Sequence, residues 1–197
     1  FGTFCEEMAS RKVFKRIVAV EPSPTLAQTC RSRGVETIEL PIEKVALKED
    51  EKFDVVVNFE VIEHLFSPRD FIQQCKRQMK PGALFVVSCP NAQGFDVITL
   101  KEKSNTIDHE HVNYFTPHSL DLLFKANGFE VLEVLTPGVL DADIVRNTIL
   151  AGDFSVDDQP FLKQVLMDEW ETKGKAFQEF LTANKLSSNL WIIAKNK

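Results

Sequence analysis

Apolar positions along the chain follow two alternating rhythms. Short runs rich in β-branched and aromatic residues predict strands at Ile17 to Val20, Val35 to Leu40, Phe53 to Phe59, Ala83 to Cys89, Phe129 to Leu135 and Leu190 to Ala194. Between them, apolar residues recur at helical spacing behind recognisable start signals. Ser23-Pro24 supplies an N-cap and a first-turn proline, and Gly34 closes that helix. Ser67-Pro68-Arg69-Asp70 opens another with a capping pattern, and Phe71, Ile72, Cys75 and Met79 form its stripe. Lys80-Pro81-Gly82 reads as a turn. Thr116-Pro117 caps a further helix, which buries Leu120, Leu123 and Phe124 and ends at Gly128. The loop of about 25 residues before it is long for a mere connection. Residues 139–187 read as mainly helical, with one amphipathic segment marked by Phe161, Leu162, Val165, Leu166 and Trp170, and another, beyond Gly174, by Phe177, Phe180 and Leu181.

Strands alternating with helices predict an α/β fold with a mostly parallel sheet covered by helices. The last two strands are separated by an excursion and are expected to pair antiparallel. Open sheets of this kind bind ligands beyond the carboxyl ends of their strands, so the residues just after each strand carry the information.

Composition narrows the picture a little. The chain of 197 residues suits one domain with an elaboration. Its acids outnumber its bases 29 to 23, for a formal charge of -6, which speaks against a broad nucleic-acid surface. No apolar run approaches the roughly 20 residues of a membrane span, and no signal peptide is legible. Cys5, Cys30, Cys75 and Cys89 lie far apart and read as reduced core thiols of a cytoplasmic protein.

The strand ends carry the candidate chemistry. Glu21, with Pro22 and Ser23, follows the first strand, where an acid can accept two hydrogen bonds from a ribose diol. It lies 19 residues after Gly2, close to the spacing between a glycine turn and a ribose-binding acid. The plain alternative is that Glu21 caps the next helix. Pro41, Ile42 and Glu43 follow the second strand as a small apolar shelf with an acid, suited to an adenine ring or to an ordinary loop. Asn58, Phe59 and Glu60 end the third strand, and Pro90-Asn91 follow the fourth.

The segments FGTF, IVAVEPSP, FDVVVNFEVIEHLFSPRDFI, QMKPGALFVVSCPN and HVNYFTPHSLDLLFKANGFEV fall in order over about residues 1–138. Together with the final NLWIIAKN they resemble the class I S-adenosylmethionine-dependent methyltransferases. The resemblance implies a Rossmann-like methyltransferase sheet with an antiparallel last strand, formed by residues 1–138 and 188–197, and a helical insertion or cap at 139–187. It implies S-adenosyl-L-methionine as cofactor. Gly2 would lie near its methionine part, Glu21 and Pro22 near the ribose, Ser23, Pro41 and Ile42 near the adenine, and Asn58, Phe59 and Glu60 near the sulfonium. The family's first strand, central in its sheet, and the opening half of its glycine loop have no counterpart in the sequence. A truncated chain and a gap in the sheet are therefore expected, with cofactor binding by this chain in question.

FEVIEHL, residues 59–65, places Glu60, Glu63 and His64 at spacings that share one face if a helical turn starts there. Three readings stay open. His64 can be a general base oriented by Glu63. Glu60, Glu63 and His64 can bind a divalent metal, with His109 or His111 completing the set. The pattern resembles the metal motif of small-RNA 2′-O-methyltransferases and of some ubiquinone-pathway O-methyltransferases. Third, Glu63 and His64 can simply stabilise the turn. Tyr114 and Phe115 read as packing residues. Asp141, Asp143 and Arg146 either bind a polar substrate or form a salt-bridged helix start.

The expected reaction is methyl transfer to a small-molecule acceptor, a hydroxyl or similar group of a sugar or secondary metabolite. No nucleic-acid or membrane partner is expected, and a homodimer stays open. The rivals are a non-catalytic binding scaffold on the same fold and a nicotinamide-dependent oxidoreductase; the latter requires a second mononucleotide-binding half that the sequence does not show.

Overall fold

The computed structural model describes residues 2–197; Phe1, the first residue of the FGTF segment, lies outside them. The chain opens with helix α1 (Thr3–Ser10), then strand β1 (Val18–Val20), α2 (Pro24–Ser32) and β2 (Glu36–Ile38). Next come β3 (Phe53–Phe59), α3 (Pro68–Arg77), β4 (Met79–Pro90) and α4 (Phe95–Leu100). Helix α5 (Pro117–Ala126) and β5 (Phe129–Leu135) follow, then α6 (Asp141–Leu150), α7 (Pro160–Lys163), α8 (Trp170–Ala183) and β6 (Asn189–Asn196).

The strands form two sheets. β1 and β2 pair in parallel as a short ribbon, and β3, β4, β6 and β5 form the larger sheet in that order. β3 and β4 are parallel, while β6 runs antiparallel to both β4 and β5. Every predicted strand is present, and the antiparallel close is as expected. β1 and β3 do not pair with each other, which is the expected break in the sheet. Helix α1 sits at this break. Gly2, at φ +80, starts it against Cys30 of α2, so close that a Cβ there would stand 3.3 Å from the Cys30 sulfur. Two residues on, Phe4 packs edge-on against Phe59 at the end of β3, with centroids 5.1 Å apart. The first turn of α1 thus joins the small sheet's layer to the large sheet.

The main core lies on one face of the larger sheet. Phe85, Val87 and Cys89 of β4 and Leu190, Ile192 and Ala194 of β6 alternate toward it, and α3 and α5 cover it with Ile72, Cys75, Leu120 and Phe124. The rings of Phe85, Phe124 and Phe129 meet pairwise at 5.5 to 5.8 Å. Each such buried ring contributes about 1.5–3 kcal/mol of transfer free energy. Cys75 and Cys89 lie in this core, and burial pushes the Cys75 thiol up to about 12 and the Cys89 thiol higher. Both are free core thiols, as the sequence reading holds; Cys5 is only half-buried. Among the described residues no helix is long and apolar enough to cross a membrane.

Several local expectations change. Lys80-Pro81-Gly82 does not end one element and start another. It lies within β4, where the pairing shifts between Phe53–Met79 and Val55–Leu84, and Gly82 at φ +79 absorbs the irregularity. The long segment after β4 holds α4, whose Phe95 and Leu100 join a second core with Ala142, Val145, Leu166 and Leu181. Gly174 does not separate two helices. It lies inside α8, where a Cβ would stand 2.5 Å from the Trp170 ring, so its missing side chain lets that ring lie against the helix.

Two buried aspartates join this second core to the end of β6. Asp141 accepts from the Ser187 and Ser188 hydroxyls at 2.6 Å, from the Ser188 N–H at 2.5 Å and from Gln178 Nε2 at 2.7 Å. Asp141 is therefore an internal joint, neither the substrate ligand nor the exposed ion pair its sequence context allows. Arg146 stacks on Trp170 instead of pairing with an acid, its guanidinium carbon 4.9 Å from the ring centroid. Asp96 is less well served: its Oδ1 has no hydrogen-bond partner among the described residues. Burial raises its pKa, Ser188 opposes the rise, and the Asp141 charge adds to it. A raised folded-state pKa means the ionised form is penalised, so stability falls as pH climbs from the ordinary aspartate value of about 3.9 through the folded value. Asp96→Asn is expected to stabilise the protein by about 1 kcal/mol at pH 8, with a smaller gain at pH 5, in thermal unfolding at both pH values.

Candidate active site

The carboxyl ends of β3 and β4 build the site. β3 ends with Asn58 and Phe59 on opposite faces, because side chains alternate along a strand. Asn58 lies on the core side, and its Oδ1 is buried with no partner among the described residues. Phe59 lies on the other side, against Trp191 of β6, at 5.1 Å between centroids. The chain then turns sharply. Glu60 adopts φ +53, a left-handed conformation that costs a non-glycine residue roughly 1–2 kcal/mol. Two bonds to β4 hold it there: its N–H donates to the Ser88 carbonyl at 3.0 Å, and its Oε1 accepts from the Ser88 hydroxyl at 2.6 Å.

A single 3₁₀ turn, Ile62–His64, follows this kink. The predicted continuous face from Glu60 to His64 therefore does not form, because the left-handed residue breaks the helical path. Ile62 anchors the turn in the main core. Glu63 is 1% exposed, and neither carboxylate oxygen has a hydrogen-bond partner among the described residues. Burial pushes its carboxyl above the usual range and the Glu60 charge adds to this, while His64 and His111 oppose it. His64 Nε2 stands 3.8 Å from Glu63 Oε1.

The segment 104–115 closes over this turn. His111 stacks beside His64, ring centroids 4.8 Å apart. His64 Nδ1 lies 3.1 Å from the Glu110 carbonyl, and His111 Nδ1 lies 2.7 Å from the Thr106 carbonyl. A carbonyl only accepts, so each neutral ring carries its proton on Nδ1 and keeps the Nε2 lone pair free. Ligand atoms of Glu63, His64 and His111 all lie within 4.8 Å of one another. Of the sequence candidates, this group unites Glu63, His64 and His111 and leaves out Glu60 and His109.

The loop has its own scaffold. Asp108 Oδ1 accepts the N–H groups of Glu110 at 2.6 Å and His111 at 2.9 Å. Those bonds, with the nearby histidines, hold its carboxyl below the usual aspartate range despite a small desolvation cost. Tyr114 is exposed and donates its hydroxyl to the Asp108 carbonyl at 3.2 Å, so it is not the packing residue expected. Phe115 is buried in the main core, as expected. Ser88, Thr106, Asp108 and Asn113 were missed. The Thr106 carbonyl acceptor leaves no side-chain signature, Ser88 and Asn113 act through contacts far apart in sequence, and Asp108 bonds locally to Glu110 and His111.

Gly2 and Phe59 are linked through α1, as described. Glu21 ends β1, but its Oε1 accepts the Ser23 N–H at 2.9 Å, so one oxygen serves the start of α2 and the other carries no such bond. Pro22 separates these two residues. Pro41 opens a 3₁₀ turn whose Ile42 packs partly on the main core. The expected adenine shelf thus shares Ile42 with the core.

Residues 2–134 match a family model described as a methyltransferase domain. A probable S-adenosylmethionine-dependent methyltransferase of Mycolicibacterium smegmatis is 36% identical over 126 residues, which are 60% of this chain and 48% of that protein. The C-methyltransferase NovU of Streptomyces niveus is 29% identical over 167 residues, 81% of this chain and 38% of NovU. The chain spans about half the length of the curated relatives it matches. Among solved structures, the complex of the Trm112 methyltransferase activator of Haloferax volcanii with a methyltransferase aligns with a TM-score of 0.62 at 16% identity. It covers 98% of this chain and 78% of that one, a likeness of fold.

Proposed function

The chain belongs to the class I S-adenosylmethionine-dependent methyltransferase family, and from that premise we propose that it transfers a methyl group to a hydroxyl, or to a comparably acidic carbon, of a small molecule. The observation that carries the reading is the His64 imidazole, half-exposed at the end of β3 with its Nε2 lone pair free and the buried Glu63 behind it.

The residues present fit the cofactor the family implies. Gly2 gives a close backbone approach at the start of α1, Glu21 keeps one carboxylate oxygen, and Asn58 carries an unmet buried acceptor. When bound, S-adenosylmethionine supplies an electrophilic methyl group on sulfur. Gly2, Glu21, Pro22, Ser23, Pro41, Ile42, Asn58, Phe59 and Glu60 would hold it. His64 Nε2 takes the proton from the acceptor, whether it sits on oxygen or carbon. Glu63, 3.8 Å away, stabilises the imidazolium that forms. Phe59 and Trp191 keep water from the neighbouring sheet surface.

The segment 139–187 serves as the acceptor-side cap. Pro137, Val139, Leu140 and Ile144 line a concavity of about 320 Å³ at the end of β5, at the same carboxyl end of the sheet as the site but at the edge opposite β3. The acceptor belongs to the sugars or secondary metabolites.

A second reading rests on the same cluster. One buried, unpartnered carboxylate and two imidazoles with free Nε2 atoms fit a divalent cation such as zinc or manganese, held by Glu63, His64 and His111. The cation would lower the pKa of an acceptor oxygen. Calorimetry with S-adenosylmethionine, followed by transfer assays before and after chelation, tests both readings. Saturable binding and chelator-resistant transfer are expected. Loss of transfer in chelator, restored by metal, would replace the base by the cation. Absence of cofactor binding by the full-length protein would overturn both in favour of a scaffold.

A further inference from the structure

We propose that Asn113 is a positioning residue that fixes the tautomer of His64; the proposal deepens the base reading above and rests on it for its functional meaning. Among the described residues, Asn113 is the one residue of the segment 104–115 bonded to the residues on both sides of His64. Its backbone N–H donates to the Glu63 carbonyl at 3.0 Å. Its side-chain Nδ2 donates to the Leu65 carbonyl at 2.6 Å and reaches the Glu63 carbonyl at 3.4 Å. These carbonyls flank His64 on either side. Three residues before Asn113, the Glu110 carbonyl accepts the His64 Nδ1 proton.

The geometry has a direct consequence. The His64 ring is more than a third exposed, so water competes for its Nδ1 proton. Its orientation depends on keeping the Glu110 carbonyl in place. Asp108 shapes the loop internally, but its hydrogen bonds stay within residues 108–114 and do not reach the turn. Asn113 supplies the cross-link. Without its side-chain donor, Asn113 keeps only its backbone bond to Glu63, the link to Leu65 is lost, and the lone pair at Nε2 is no longer assured.

The test uses a nearly isosteric change. Asn113→Asp keeps the size and the backbone donor but cannot donate to the Leu65 carbonyl. Long-range proton–nitrogen spectra of the histidine rings are recorded on chelator-treated protein at one fixed pH. Wild type is expected to show His64 and His111 as Nδ1–H tautomers. Asn113→Asp is expected to lose that single tautomer at His64, with the fold retained in the amide spectrum. Asn127→Asp is the control, because it removes a comparable bond to the Leu123 carbonyl at the end of α5. It is expected to leave the His64 signal unchanged. A His64 tautomer that persists in Asn113→Asp, or that is lost equally in Asn127→Asp, overturns the proposal. Either result leaves the base reading standing, since that depends on the transfer activity of the His64 variant.

Discussion

Replacing His64 with alanine is expected to lower methyl transfer by about 10²–10⁴-fold while leaving S-adenosylmethionine binding unchanged. The size follows from the role. An acceptor that must lose a proton gains that much from a positioned base, and the ring touches the proton, not the proposed cofactor residues. Of the proposed cofactor residues, Gly2 precedes α1 and Glu21 follows β1. His64 faces His111 and the 104–115 segment. Glu63→Gln separates the base from the metal reading. The amide cannot stabilise an imidazolium by charge, but the free imidazole remains, so a partial loss of transfer that is insensitive to added zinc supports the base. A loss accompanied by lost metal binding supports the cation. Transfer at the wild-type rate by His64→Ala would remove His64 from the chemistry altogether.

Asp141→Ala is expected to destabilise the protein by about 3–5 kcal/mol. For a chain of this length each kcal/mol shifts Tm by roughly 2–4 °C, so a fall of about 10 °C is the readout in calorimetry. The change strands donors on buried Ser187 and Gln178 and on the half-buried Ser188. Burial alone would raise the Asp141 pKa, but the hydrogen bonds from Ser187, Ser188 and Gln178 outweigh it and hold the carboxyl below its ordinary range. The sign of the pH dependence follows. A depressed folded-state pKa gives stability that is complete above the unfolded value, about 3.9, and is lost as pH falls through the folded value. In acid, wild type should therefore lose part of its margin over Asp141→Ala. An unchanged difference between pH 7 and pH 3 would show that the carboxylate's charge is not what holds the joint.

The strands were legible because burial writes a local pattern. Phe53 to Phe59 and Phe129 to Leu135 match the observed spans. The caps were legible for the same reason: Ser67 accepts from the Asp70 N–H, and Thr116 forms its box with Ser119, all within one turn of chain. Gly174 was misread because a glycine's meaning depends on what approaches it. Here it is the Trp170 ring, not a helix end. Glu60 was misread because helical spacing assumes a continuous right-handed path, and the Ser88 contacts impose a left-handed residue instead.

The sequence by itself determined the order of the six strands and of the capped helices between them, the family to which they add up, and the candidacy of Glu63 and His64 at a strand end. The tertiary structure alone decided that His111 and not Glu60 joins them, that Asp141 is an internal joint, and that two carbonyls of the 104–115 segment orient the rings. The reason is physical. Periodicity and capping are set by neighbours within a turn or two, whereas the meeting of distant side chains is settled only when the whole chain packs and each buried polar group must find a partner or go without.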